Sequence, residues 1–458
     1  MRRTKIVATL GPASEDKTVI RKMMEAGLNV VRLNCSHGSY EQYKKIVHNV
    51  RVLEKETGKS VSILMDLQGP KIRFGNLKDD KLLVHRGDLL TLSTKDEKNS
   101  LYVPYSPLPR IVKKGQLLLI DDGQVRTKIV SIKGHRIKIQ VLNAGIIRSK
   151  KGINVPEAKL ERSQFLGTKD LKDLEFGLKT LKVDAVAVSF VETAEEMQQV
   201  RKAIQKWTKR SVQLIAKIER PKALKNLEAI TESADALMVA RGDLAIETEP
   251  EMVPLYQRKI INLARKMGKP VIVATQMLQS MVESPVATRA EISDAATAIF
   301  ESADAFMLSN ESAVGTYPVQ AVRTLARVAR ATEQALLKEH PYLEGKVETE
   351  DERLALNACV LAHQLNAKGI LLVTEAGFTA KTVLKYRPSA TVFSFTSSAD
   401  IAKALNFLWG ANEIRLSKET EPETLLQILK KNKEVQSGDK IVFIQLKDKR
   451  SQLVILEV

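Results

Sequence analysis

Lys217 and Glu219 stand two residues apart in VQLIAKIE (212–219), a stretch cut off by Arg220-Pro221. Its composition predicts a strand, and side chains alternate faces along a strand. Val212, Leu214, Ala216 and Ile218 then share one face, and Ile215, Lys217 and Glu219 share the other. The two charged residues sit about 6–7 Å apart and point the same way. Burying an amine and a carboxylate at the end of an apolar strand is costly without a purpose. A structural ion pair is one reading, and a catalytic pair is the other.

The surrounding chain repeats one pattern. KIVATL (5–10), VVRLNCS (30–36), SVSILMDL (60–67), DAVAVSF (184–190), the strand at 212–219, DALMVAR (235–241), PVIVATQM (270–277) and DAFMLSN (304–310) are short apolar runs. Each is followed by an amphipathic stretch with helical spacing. Eight βα units at this spacing predict a closed parallel (β/α)8 TIM barrel, with an open doubly wound sheet as the alternative. Residues 71–153 break the pattern. KLLVHRGDLLTLST, KKGQLLLIDDGQVRTKIVSIKG and HRIKIQVLNAG read as antiparallel strands joined by Gly-containing turns, an inserted small β-barrel domain. After a polar linker around 340–351, α/β alternation resumes to the end. The expected division is 1–70 and 154–338 for the barrel, 71–153 for the insert, and 353–458 for a C-terminal α/β domain.

In such a barrel the active site is built at the C-terminal ends of the strands. There the sequence places Arg32, Asn34, Ser36 and His37 after the second run. Asp66, Lys71 and Arg73 follow the third run, and Ser189 ends the fourth. The remaining runs contribute Lys217 and Glu219, then Arg241-Gly242-Asp243, then Thr275 and finally Ser309-Asn310-Glu311. So many polar ends after apolar bodies favour a catalytic mouth over isolated ion pairs. Glu219 and Asp243 are hard oxygen ligands of the kind that hold Mg²⁺. Arg32, Arg73 and Lys217 supply charge for a phosphoryl group in transfer. Gly242 lets backbone N–H groups approach a small anion. There is no GxxxxGKS/T or GxGxxG loop and no His/Cys zinc cluster.

Composition narrows the class further. With 44% hydrophobic and 28% charged residues the chain is globular, and no run is long enough to span a membrane. Two cysteines give no disulfide framework, and no signal-peptide pattern opens the chain, so a cytoplasmic protein is expected. The net charge of +18 favours anionic partners. Basic residues are scattered and aromatics make up only 5%, which argues against nucleic acid. A Mg²⁺-dependent lyase or aldolase remains the competing enzyme class. A non-catalytic anion-binding protein is the competing non-enzyme.

The stretches TKIVATLGPAS, VVRLNCSHG, DLQGPKIR, KGINVP, AKIE, MVARGDLAIE, ATQML, PxxTRAE and DAxMLSxE, in this order, resemble the pyruvate kinase family from Thr4 to about Ala331. The resemblance implies phosphoryl transfer from phosphoenolpyruvate to ADP with Mg²⁺ or Mn²⁺, in a homotetramer. It implies that Lys217 stabilises the transferring phosphoryl and that Glu219 and Asp243 bind the metal. Ser189, Gly242, Asp243, Thr275 and Arg32 would contact phosphoenolpyruvate. Asn34, Cys35, Ser36, His37, Arg73 and Lys151 would contact the nucleotide, with Lys151 reaching in from the hinge of the insert, which closes as a lid. Lys217, Arg32, Arg73 and Thr275 form the implied catalytic set.

Three positions depart from the usual family pattern. Lys71 stands where K⁺-requiring members carry glutamate, which resembles the K⁺-independent branch. Its ammonium is expected to fill an oxygen-lined pocket made by Asn34, Ser36, Asp66 and Leu67. Cys35 replaces a usual phenylalanine and is expected to be a small core residue facing the helices. Asn310 replaces a glycine, a place where asparagine accepts a positive φ. In the C-terminal unit, Glu375 and Phe378 replace basic residues of relatives that respond to fructose 1,6-bisphosphate, so no response to that activator is expected.

Overall fold

A computed structural model describes residues 2–458 except 78, 122, 159–164, 344, 346 and 447–450. Eight parallel strands close into a barrel: β1 Lys5–Thr9, β2 Val30–Asn34, β3 Ser62–Asp66, β4 Ala185–Val188, β5 Gln213–Ile218, β6 Ala236–Ala240, β7 Val271–Ala274 and β8 Ala305–Leu308. Closure is made by β1 pairing with β8, Lys5 opposite Ala305. The alternation read in β5 divides its side chains as expected. Val212, Leu214, Ala216 and Ile218 pack in the layer between strands and helices, and Ile215 packs inside the barrel.

Helices fill the connections where the sequence supplies caps. Asp16 accepts a hydrogen bond from Thr18 N at the start of Lys17–Ala26, and Thr193 and Thr288 form capping boxes with Glu196 and Glu291. The connection after β5 is two helices, Pro221–Lys225 and Leu227–Ser233, meeting at Asn226. The Arg-Gly-Asp end of β6 is a seven-residue helix, Arg241–Glu247, so Gly242 and Asp243 lie in its first turn.

The insert between β3 and β4 forms a seven-stranded sheet and a two-stranded one, running from Ile72–Arg73 to Gly152–Asn154. Its pairings are antiparallel apart from one parallel contact, Leu92 beside Leu101. It has its own core, including Phe74, Val84, Ile120, Ile139 and Ile153.

The C-terminal unit carries β9 Gly369–Val373, β10 Thr391–Thr396, β11 Glu413–Leu416, β12 Lys440–Gln445 and β13 Gln452–Glu457, in sheet order β11-β10-β9-β12-β13. It seals the floor of the barrel. Phe407, 1% exposed, joins the interior cluster of Val7, Leu64, Ile215 and Met238. Around it, Asn406 donates to Ser62 Oγ at 3.1 Å, Trp409 N to Asp304 Oδ1 at 3.0 Å, and Lys5 Nζ to Ala411 O at 2.6 Å. Among the described residues, no helix is long and apolar enough to cross a membrane.

Candidate active site

The mouth of the barrel gathers most of the residues singled out in the sequence. Lys217 projects inward from β5 and is almost fully buried. Its Nζ donates to Ser189 Oγ at 2.7 Å and lies 3.2 Å from Asp66 Oδ1 and 3.0 Å from Glu219 Oε1. Burial opposes its charge, but the carboxylates of Asp66 and Glu219 outweigh that cost and push the amine's pKa up. The site therefore holds a permanent ammonium. Lys217 and Glu219, on one face of the strand, are in ionic contact.

Asp66, at the end of β3, is shared between two cations. Its Oδ2 accepts from Arg32 Nε at 2.8 Å, and Arg32 Nη1 donates to Thr9 Oγ1 at 2.8 Å. Burial works against the Asp66 carboxylate, but Lys217 and Arg32 hold its pKa below the usual range. Glu219 is fully buried and accepts from Phe190 N at 2.6 Å through Oε2. Burial pushes its pKa up to about 7.

Two buried oxygens here, Asp66 Oδ1 and Glu219 Oε1, accept no hydrogen bond. The Lys217 ammonium is close to both at ionic distance, without the alignment of a hydrogen bond. Asp243, on the neighbouring helix turn, is partly exposed. Among the described residues no group of three or more His, Cys, Asp or Glu side chains forms a closed metal cage. An orphaned Glu219 oxygen beside Asp243 fits an open magnesium-type site that takes its other oxygens from water and substrate.

Thr275 and Gln276, after β7, both have positive φ, 69° and 53°. Gly242 N donates to Thr275 Oγ1 at 2.8 Å. A Cβ on Gly242 would meet Thr275 atoms at 3.5–3.7 Å, which is ordinary contact, so the protein itself does not demand glycine there. Gly69 is different: its φ is +70° and a Cβ would meet Ser189 Cβ at 2.9 Å. That close approach lets Gly69 N reach Asp170 Oδ1 at 3.1 Å.

Four expected nucleotide contacts lie on the β2 turn. Asn34 Oδ1 accepts from Ser36 N at 3.2 Å, which folds the turn. Cys35 is 2% exposed in the strand–helix core, and burial pushes its thiol pKa up. Its carbonyl accepts from Lys169 Nζ at 2.6 Å. His37, at the rim, is held below the ordinary imidazole range by partial burial and by Arg73, Arg32, Lys71 and Lys151. That convergence of cations suits a polyanion. Beside the turn opens a cavity of about 460 Å³ lined by Gly38, Tyr40, Tyr43, Lys169 and Lys172 among others.

Three side chains sit differently from expectation. Lys151 pairs with Asp121 Oδ1 of the insert at 2.9 Å. Lys71 Nζ lies 3.5 Å from Asp243 Oδ1. Of the residues expected to pocket it, Asp66 meets Arg32 and Lys217, and Leu67 O accepts from Ser189 Oγ. Asn310 opens the helix Asn310–Ala313 and is not among the positive-φ residues. The adjoining carboxylate explains this, because Glu311 Oε2 accepts from Ser309 N at 2.8 Å and fixes the turn without a left-handed residue.

Arg73, expected at the site, donates through Nη1 to Lys150 O at 3.1 Å. Other residues of the site went unread in the sequence. Buried Arg220 contacts Glu192 and Glu247, and Glu247 Oε1 accepts from Asn154 Nδ2 at 2.8 Å, tying the base of the insert to the end of β5. Asp170 and Lys169 also went unread. Arg241, read at the end of β6, and Glu247 lie within MVARGDLAIE and Arg220 follows AKIE, but their partners are distant in sequence.

A closed (β/α)8 barrel with a buried ammonium, flanking carboxylates and a cation-rich rim defines an enzyme of the phosphotransferase class. A model of the pyruvate kinase barrel domain matches residues 1–322, and one of the pyruvate kinase alpha/beta domain matches 352–451. The chain belongs to the pyruvate kinase family. It is 37% identical to the pyruvate kinase of Staphylococcus saprophyticus over 457 residues, covering 96% of this chain and 77% of that one. It is 40% identical to that of Staphylococcus haemolyticus over 423 residues, covering 90% and 71%. A pyruvate kinase crystal structure from Cryptosporidium parvum superposes with a TM-score of 0.91 at 32% identity, covering 100% of this chain and 96% of that one.

Proposed function

We propose that this chain transfers the phosphoryl group of phosphoenolpyruvate to ADP, giving pyruvate and ATP. The observation that carries the reading is the Lys217 ammonium, fixed between Asp66, Glu219 and Ser189 beside a Glu219 oxygen that accepts no hydrogen bond. Glu219 and Asp243 would hold Mg²⁺ or Mn²⁺, which when bound draws charge from the enol and phosphoryl oxygens. Lys217 meets the phosphoryl in transfer and stabilises the enolate it leaves. Ser189 orients Lys217, and Thr275, with Gly242 behind it, presents its hydroxyl to the substrate. Arg32 adds positive charge. The Asn34–His37 turn, Arg73 and Lys151 face the nucleotide, and the cavity holding Lys169 is the space next to them.

The inserted unit, residues 71–153, acts in this reading as a lid over the barrel mouth, hinged where Asn154 meets Glu247. A lyase or aldolase would need no nucleotide lid. The deciding assay supplies phosphoenolpyruvate, ADP and Mg²⁺ and couples pyruvate to a dehydrogenase. Pyruvate formed without ADP would favour the lyase, and no pyruvate at all would overturn both.

We also propose that turnover does not depend on K⁺, because Lys71 fixes a positive charge at the mouth beside Asp243. A rate that climbs many-fold when K⁺ replaces tetramethylammonium would overturn this. A cytoplasmic homotetramer completes the reading, and sedimentation of the purified chain tests the assembly.

A further inference from the structure

Two consecutive residues other than glycine hold positive φ at the end of β7, Thr275 and Gln276. Such conformations persist only where surroundings over-determine them, and they cluster at working sites. One side chain supplies most of the restraint. Arg241 Nη2 donates to Thr275 O at 2.8 Å and Nε to Ala274 O at 3.3 Å. Nη2 also lies 2.9 Å from Met277 Sδ. The other end of the guanidinium, Nη1, reaches both carboxylate oxygens of Asp294 at 2.8 and 2.7 Å. Asp294 stands on the helix Arg289–Phe300, whose N-terminal Glu291 also holds Ser280 N at 2.7 Å and Ser280 Oγ at 2.5 Å. That helix therefore grips the β7 loop at both ends.

We propose that Arg241 and Asp294 are a positioning pair that sets the Thr275 hydroxyl for the reaction. The inference rests on the phosphoryl-transfer reading above. Gly242 N occupies one lone pair of Thr275 Oγ1, so the hydroxyl proton is left to point away from Gly242. Its direction is set by the backbone angles of residue 275, and those angles are held by Arg241. A lysine at 241 carries the charge but not the planar fork, and cannot bond two carbonyls and a carboxylate at once. Neither residue touches the reacting atoms.

The test is a double-mutant cycle on the full chain with phosphoenolpyruvate, ADP and Mg²⁺. Arg241→Lys is expected to lower kcat about 10- to 100-fold with little change in KM for ADP, as for a misplaced group remote from the chemistry. Made in a Thr275→Ala background, the same change should cost less than about 3-fold, because there is no hydroxyl left to misplace. Equal losses in both backgrounds, or a kcat unchanged by Arg241→Lys, would overturn the pairing. Should Arg241→Lys lack a cooperative melting transition, Asp294→Asn takes its place, with a smaller loss and the same non-additivity expected. A wild-type chain that makes no pyruvate overturns the reaction reading itself, which is a separate outcome from additive losses in an active enzyme.

Discussion

The Lys217 ammonium lies 3.0 Å from Glu219 Oε1, yet that oxygen accepts no hydrogen bond. The lysine compensates the carboxylate's charge at ionic distance, which offsets part of the cost of burying Glu219. Burial leaves its pKa raised to about 7.

Metal binding should follow that titration. If Glu219 holds the metal as proposed, a proton and the ion would compete for it, and Mn²⁺ affinity is expected to fall about tenfold per pH unit below about pH 7 and to level off above it. Calorimetry in buffers of different ionisation enthalpy would report the released proton. Affinity flat between pH 6 and 8 would contradict the competition.

Lys217→Met should abolish most turnover, by about 10²–10³-fold or more, as for loss of a preorganised transition-state donor. Asp66 keeps Arg32, so the fold should survive with a cooperative melt. Glu219 loses its only nearby ammonium among the contacts above, and its titration should move further upward. Retained activity would remove the lysine from the mechanism.

Glu247→Ala breaks a buried ion pair and the hinge contact to Asn154 together. Arg220, 4% exposed, would keep Glu192 but lose one counter-charge. A loss of about 3–5 kcal/mol is expected from a shift in urea midpoint at unchanged slope. A midpoint within error of the parent would show that the hinge network adds little.

Phe407→Ala should cost about 3–5 kcal/mol, the range for emptying a buried aromatic site. The loss should register in the barrel, since Phe407 packs with Val7, Leu64, Ile215 and Met238. Near-ultraviolet signals confined to the C-terminal unit would argue otherwise.

Much of this arrangement was readable from local pattern. The period-2 face assignment of β5 and the eightfold βα repeat needed only spacing, and both match the structure. Cys35 was placed correctly in the core for the same reason. What stayed hidden were partners chosen across the fold. Lys217 meets Asp66 and Ser189 from two other strand ends as well as its neighbour Glu219. Lys151 turned to Asp121, and Lys71 toward Asp243, because carboxylates distant in sequence stand there. The short helix at Arg241 has no capping side chain to mark its start.

The floor plug has a consequence for how the chain is made. All eight barrel strands emerge from the ribosome before residue 407 exists. Until then the newborn barrel lacks the ring that packs against Val7, Leu64 and Met238. Synthesis at about 5–20 residues per second leaves that apolar opening unsealed for several seconds. The last quarter of the chain thus serves as the stopper that ends a vulnerable interval in the life of the first three.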